Sequence, residues 1–237
     1  MSKRTYTMMT LTALALALFS FQATAKQKVT AKTVDFDRVK KVTQAPASRF
    51  YFPNLVKLYM SNTDTTMTLE DYRTLYYGYM YQEDYNPYRK SIYSDKVENL
   101  YYKKELSRAE CDSIEKYADL SLGDNLFDFE QMTYYIYALK MKKKYTRHDV
   151  RLKKMGRLYE AIISSGEGTR ENPWVVICPM HEYDVVNFLG YVATEQQNID
   201  GKLDYIKVEP KEGSKIEGFY FDISRMLLEA KRKGYDE

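Results

Sequence analysis

Apolar side chains recur every three or four residues through the middle of the chain, which is the periodicity of one buried helix face. Thr68 with Asp71 forms a capping pair that predicts a helix start, and Ser107 with Glu110 forms a second one. One apolar stripe follows the first pair: Leu69, Tyr72, Leu75, Tyr76 and Tyr79. Residues 50–165 are therefore predicted to form successive short helices, paired as antiparallel hairpins in a helical-repeat-like manner, although no clean repeat period is present.

The pattern changes after residue 165, where strand signals replace the helical period. Trp174 to Cys178 is a compact β-branched and aromatic run, and Asp200 with Gly201 is a turn signal between two further strand candidates. This part is expected to form a small antiparallel sheet with one or two helices. The predicted fold class is therefore α+β, with a helical region over 26–165 and a small α+β region over 166–237, packed as one unit.

The first residues contain the three parts of a secretory signal peptide. Lys3 and Arg4 give a positive start, Met8 to Phe21 form an apolar run, and Ala23 to Ala25 supply the small residues of a cleavage site. We expect a signal peptide over 1–25, cleavage after Ala25, and export to the periplasm or the outside of the cell. The alternative is an uncleaved membrane anchor, but a spanning helix needs about 20 apolar residues and this run is shorter. No later stretch is apolar enough to span a membrane, so we expect the mature chain to be soluble.

Charge and cysteine content narrow the class of protein further. The formal net charge of the whole chain is +3, and loss of Lys3 and Arg4 with the signal peptide lowers it to about +1, which argues against a nucleic-acid-binding protein. The two cysteines, Cys111 and Cys178, are not a disulfide framework; they either pair in an oxidising compartment or stay separate thiols. A basic stretch over 140–157 is expected to be a solvated face, with binding of an anionic polymer as the alternative.

Several blocks of the sequence resemble a known family. They are 51–55, 64–73, 75–79 and 85–88, followed in the second half by Gly166-x-Gly168-Thr169 and by Glu182-Tyr183 with Gly190. These blocks resemble a family of exported bacterial proteins, domain of unknown function 4919, over nearly all of the mature chain. The resemblance implies export and a small standalone protein. It implies no activity, and no catalytic residue carries over from it.

Tyrosines are concentrated between residues 72 and 88. Three lie on the predicted buried stripe and are expected to pack in the core: Tyr72, Tyr76 and Tyr79. Three lie off that stripe and are candidates for a ligand-binding surface, because tyrosine combines a flat apolar face with a polar end: Tyr77, Tyr81 and Tyr85. Gly78 inside the helix is unfavourable by about 1 kcal/mol relative to Ala, which predicts the close approach of another segment there.

A second group of candidates is His181, Glu182 and Asp184, which surround Tyr183. Imidazole and carboxylate groups are common metal ligands and proton carriers. The spacing lacks the second histidine of a zinc-protease helix, so neither a metal site nor a cofactor is expected. The alternative interpretation is a turn in which Glu182 or Asp184 caps a helix.

No catalytic motif stands out, so the function remains open between two classes. The first hypothesis is an exported, non-catalytic interaction or binding protein of the bacterial envelope, with an unknown protein or a glycan as its partner. The alternative is an envelope or glycan hydrolase that uses a carboxylate/His site at the junction of the two regions.

Overall fold

The structure of the protein is a computed structural model that describes residues 31–61, 63, 66–96, 98–101, 103 and 105–235. The predicted signal peptide over 1–25, with its cleavage point after Ala25, lies outside the described residues. Across the described ranges, none of the helices combines the length and the apolar character that crossing a membrane requires.

In the described part of the chain, seven helices come first, and four strands with two further helices follow, as expected for an α+β protein. The helices are α1 Phe36–Gln44, α2 Phe52–Met60, α3 Leu69–Gly78, α4 Glu98–Tyr101, α5 Arg108–Asp124, α6 Phe129–Met141, α7 Tyr145–Ile163, α8 Met180–Phe188 and α9 Ser224–Arg232. The strands are β1 Trp174–Val175, β2 Ala193–Ile199, β3 Leu203–Val208 and β4 Gly218–Asp222. Short 3-10 turns occupy Tyr79–Tyr81 and Ser94–Lys96. The predicted fold class is confirmed.

Local hydrogen bonds explain where two of the helices begin. Asp71 N donates to Thr68 Oγ1 at 3.2 Å and Thr68 N donates to Asp71 Oδ2 at 2.8 Å, which is the predicted capping box of α3. Ser107 and Glu110 form the same reciprocal pair at the start of α5. These contacts satisfy backbone N–H groups that have no partner within the first helical turn.

The helices pack in sequence around α3. Neighbouring helices α5 and α6 lie against each other, and α6 lies against α7, as the short connections between them require. Helix α3 is central, because α1, α2 and α7 all pack on it. Every residue of α3 from Asp71 to Gly78 is buried, so this helix is covered on all sides rather than along one stripe.

The sheet has the order β1-β4-β3-β2, and it is mixed rather than purely antiparallel. Strands β2, β3 and β4 are antiparallel neighbours, whereas β1 pairs with β4 in parallel. Helix α8 and the β2–β3 hairpin lie between β1 and β4 along the chain. After them the chain runs through β4 in the same direction as through β1, so these two strands pair in parallel. The hairpin turn was predicted correctly: Asp200 and Gly201 have φ values of 55° and 64°, as a type I′ turn requires.

One continuous hydrophobic core includes described side chains from α1 to α3, from α5 to α9, and from β1, β3 and β4. The helical part and the sheet therefore share their core, while the division at residue 165 stays a prediction. A smaller cluster forms between α5 and α6 around Cys111, Ile114 and Ala138. Cys111 and Cys178 are both free thiols.

Candidate functional site

The candidate tyrosines Tyr77, Tyr81 and Tyr85 lie in the core, so the expectation of a binding surface built from them was wrong. Their exposed fractions are 0%, 4% and 1%, respectively. The Tyr77 hydroxyl donates to the Val175 carbonyl oxygen at 3.3 Å, and the Tyr85 hydroxyl donates to that of Ile177 at 2.7 Å. Tyr77 is buried because α3 is covered on all sides, and Tyr81 and Tyr85 are buried in the 3-10 turn and the loop that follow this helix. Burial raises the pKa of Tyr77 to about 12, so its hydroxyl stays protonated.

His181 is a buried structural group with both ring nitrogens engaged. Its Nε2 donates to the Phe127 carbonyl oxygen at 2.9 Å, which leaves Nδ1 to accept the Tyr76 hydroxyl at 2.7 Å. The Phe129 ring packs edge-on against the imidazole. Burial lowers the pKa of His181 to about 4, so the ring is neutral near neutral pH. His181 therefore connects α3 and α8 to the segment that precedes α6.

Glu182 and Asp184 do not join His181 in one constellation, although the three residues are close in sequence. Glu182 is fully buried between α8 and the sheet. Asp184 is partly exposed, and the pKa of its carboxyl group lies well above its ordinary value because of desolvation and then repulsion by Asp128 and Glu130. Helix α8 thus directs the three side chains to different neighbours.

A small cavity lies beside His181, where the loop before α8 meets the segments that follow α3 and α5. It is lined in part by Asn86, Asn125 and Cys178, and its volume is about 10 Å³. That space is close to the minimum that holds one water molecule. Burial raises the pKa of the Cys178 thiol to about 12, so this sulfur is not an activated nucleophile.

Glu182 belongs to a polar network with Asp204, Gln196, Asn198 and Tyr183. Gln196 Nε2 donates to Asp204 Oδ2 at 2.7 Å and to Glu182 Oε2 at 3.4 Å. Asn198 Nδ2 donates to Asp204 Oδ1 at 2.7 Å, and the Tyr183 hydroxyl donates to Gln196 Oε1 at 2.8 Å. The sequence analysis missed Asp204. The sequence pattern could have identified Asp204, because it is an acidic residue at an inward-facing position of β3 and the next inward-facing residues of this strand are apolar.

The opposite face of the sheet carries a pair of tyrosines that the sequence analysis also missed. Tyr205 and Tyr220 face each other across β3 and β4, with ring centroids 4.7 Å apart and planes tilted by 39°. The Tyr205 ring fills the space above Gly218, where a Cβ atom would lie 2.5 Å from two ring carbons. Both rings are partly exposed, and Gln197 and Lys207 beside them are exposed. The alternation of these residues with buried ones along β3 is the signal that could have found this face.

Three cations of the basic stretch, at the corner between α6 and α7, are paired with one carboxylate of the molecule. Glu115 of α5 forms ion pairs with Lys142, Lys144 and Arg147 at 2.5, 3.0 and 2.8 Å. This corner therefore holds three helices together, and these three cations of the expected solvated face are engaged in ion pairs. The same contacts speak against a free basic surface for an anionic polymer.

In the part of the chain that the structure describes, no three or more His, Cys, Asp and Glu side chains are grouped in a way that could hold a metal ion. Comparison with known proteins adds one finding. The model of the family described as Domain of unknown function (DUF4919) matches residues 37–232. No curated protein and no solved structure matches the chain.

Proposed function

The chain belongs to the DUF4919 family, and from this premise we propose that it is an exported, non-catalytic binding protein that holds a carbohydrate on the tyrosine face of its sheet. The observation that carries the proposal is the partly exposed pair Tyr205 and Tyr220 over Gly218.

The Tyr205 ring leans over Gly218 because a glycine has no side chain in that space. The Tyr205 ring in this position presents a flat face, and the neighbouring Tyr220 ring is inclined to it by 39°. Flat aromatic faces suit the apolar faces of sugar rings, and tyrosine adds a hydroxyl group at the rim of the surface. Within the described chain, no hydrogen bond engages either phenol, so both remain available to a ligand.

Polar side chains flank the two rings on the same face. Gln197 is the cross-strand neighbour of Tyr205, and Glu195 is that of Lys207. All three flanking side chains, from Glu195, Gln197 and Lys207, are exposed. A few polar groups around an apolar surface are what fixes the orientation of a small ligand. An amide, an ammonium and a carboxylate group provide donors and acceptors for sugar hydroxyls.

Export is part of this proposal and is supported by the signal-peptide pattern over 1–25. The expected product begins at Lys26, after cleavage behind Ala25. Mass spectrometry of the protein recovered from the cell exterior or the periplasm tests this directly. Recovery of the uncleaved chain from the membrane fraction would contradict it.

The binding proposal is tested by a glycan array followed by titration calorimetry on the best glycan. We expect Tyr205→Ala to weaken binding roughly tenfold, which corresponds to about 1.4 kcal/mol, the upper range for loss of an aromatic contact. Tyr205→Phe keeps the ring and should retain most of the affinity. Tyr145→Ala is the matched control, since Tyr145 is 57% exposed at the start of α7. Binding that is unchanged in Tyr205→Ala, or an array with no bound glycan, would refute the proposal.

The hydrolase alternative stays a prediction. The engagement of both His181 nitrogens speaks against this residue as its proton carrier. Measurement of reducing ends released from the glycans on the array would detect such an activity.

A further inference from the structure

Two buried carboxyl groups from different elements meet at the inner face of the sheet, near its β2 edge. Glu182 of α8 has an exposed fraction of 0% and Asp204 of β3 one of 4%. The amide Nε2 of Gln196 on β2 lies within hydrogen-bonding distance of both, at 3.4 Å from Glu182 Oε2 and 2.7 Å from Asp204 Oδ2. Three elements, α8, β2 and β3, are therefore joined through one pair of acids.

No cation neutralises this pair within the described ranges, since none of the ion pairs found there involves either residue. Asp204 accepts hydrogen bonds from two amides, Gln196 and Asn198. In contrast, Glu182 Oε1 is buried and has no donor. Two adjacent buried carboxylates are unfavourable because each loses its hydration and repels the other. A proton on Glu182 removes that repulsion and converts its carboxyl group into a donor to Asp204.

We propose that Glu182 holds a proton beside Asp204, and that this proton fastens the β2 edge strand to α8 through Gln196. In the protonated state, Glu182 donates to Asp204 while Gln196 donates to both acids. Loss of the proton places two negative charges in this space. One carboxylate must then move toward water, and the hydrogen bonds of Gln196 are lost with it. The pair is thus a latch that holds at low and neutral pH and opens as the pH rises.

The electrostatics agree with this geometry. Burial, then repulsion by Asp204, then a hydrogen bond with Asp204 raise the pKa of Glu182 from 4.5 to about 9. Tyr183 of α8 is the other titratable group here; burial and then the two acids raise its pKa. The β2 side chains that face the pair, Gln196 and Asn198, are uncharged. Because the folded pKa of Glu182 is raised, its contribution to stability is complete below about 4.5 and is lost as the pH rises to about 9.

Infrared difference spectroscopy at neutral pH tests whether the proton is present. We expect wild-type protein to show the C=O stretching band of a protonated carboxylic acid, and Glu182→Gln to lack it. The glutamine retains one donor and one acceptor, so it mimics the protonated acid without titrating. An identical carboxylic-acid region in both proteins would overturn the proposal.

Urea denaturation across pH tests whether the proton stabilises the fold. Wild type and Glu182→Gln should differ least near pH 4.5, and wild type should lose stability relative to the variant as the pH rises toward about 9. Glu195→Gln is the matched control, because Glu195 lies on β2 with its side chain exposed, and its stability should follow wild type at every pH. Parallel pH profiles for wild type and Glu182→Gln would rule out the latch.

A third measurement applies if Glu182→Gln does not fold. In wild-type protein labelled with ¹³C at the glutamate carboxyl groups, one glutamate should still titrate above neutral pH. If every glutamate carboxyl group is ionised before neutral pH, the proposal fails. None of the three measurements involves a glycan, so this inference and the proposed binding function are tested separately.

Discussion

The contact between Gly78 and Thr43 provides a sharp test of the packing between α3 and α1. A Cβ atom on Gly78 would lie 2.5 Å from Thr43 Cγ2 and 3.3 Å from Thr43 Cβ. Thr43 is 1% exposed, and its hydroxyl donates to the Val39 carbonyl oxygen at 2.8 Å, which fixes its rotamer. Gly78→Ala therefore cannot be accommodated by rotation of Thr43, and the two helices must separate.

The sign of the effect follows from two opposing magnitudes. Alanine in place of glycine stabilises a helix by up to about 1 kcal/mol. Overpacking of a tight contact costs about 1–3 kcal/mol. We expect Gly78→Ala to destabilise the protein by about 1 kcal/mol net. In a Thr43→Ser background the methyl group is absent and the hydroxyl remains, so the same change should be neutral or stabilising. The expected coupling energy between the two positions is about 1–2 kcal/mol.

Urea denaturation of the four proteins in this double-mutant cycle measures the coupling. Gly123→Ala is the control, because a Cβ atom on Gly123 in α5 would meet nothing within 4 Å. It should stabilise the protein by up to about 1 kcal/mol. If Gly78→Ala behaves like Gly123→Ala, or has the same effect with and without the Thr43 methyl group, the close contact between α1 and α3 does not exist.

Two further predictions concern buried polar groups. The Lys154 ammonium donates to three backbone carbonyl oxygens at the end of α2. Lys154→Met leaves these oxygens without this donor, so it should lower the free energy of unfolding by about 3 kcal/mol. Urea denaturation measures this change, and an unchanged midpoint would contradict the role of Lys154. His181 has a pKa lowered from 6.5 to about 4, so stability should fall by about 3 kcal/mol as the pH falls through this range. His181→Gln should lack that component, and equal acid sensitivity of the two proteins would exclude it.

The sequence was sufficient where structure depends on near neighbours. The capping box of Thr68 and Asp71 spans four residues, so the sequence shows both partners of its hydrogen bonds. The same holds for the hairpin turn at Asp200 and Gly201, where both residues tolerate positive φ. The close approach at Gly78 was also predicted, because a glycine in a helix interior needs a compensating contact.

The burial of Tyr77 depends on segments that are distant in sequence. For that reason the apolar periodicity of α3 led to a wrong prediction for this residue. A helix with one apolar stripe is expected to expose its other faces. Tyr77 lies off that stripe, but its hydroxyl contacts the carbonyl oxygens of Ala161 and Val175, more than 80 residues away. The periodicity of a helix shows which residues share a face. It contains no information on how many faces the rest of the chain covers.

Buried polar residues can be predicted from the sequence only in part. The alternation along β3 places Asp204 on the same face as Ile206, which is unfavourable unless a partner is present. The sequence could therefore have identified Asp204 as a residue in need of a partner, but the position of α8 decides that the partner is Glu182. The same argument separates Glu182 from His181: adjacent residues on a helix point in different directions, so a compact sequence motif does not make a compact site. For this protein, the departure of Asp204 from the apolar alternation of its strand was a better guide to unusual chemistry than the His181–Asp184 motif.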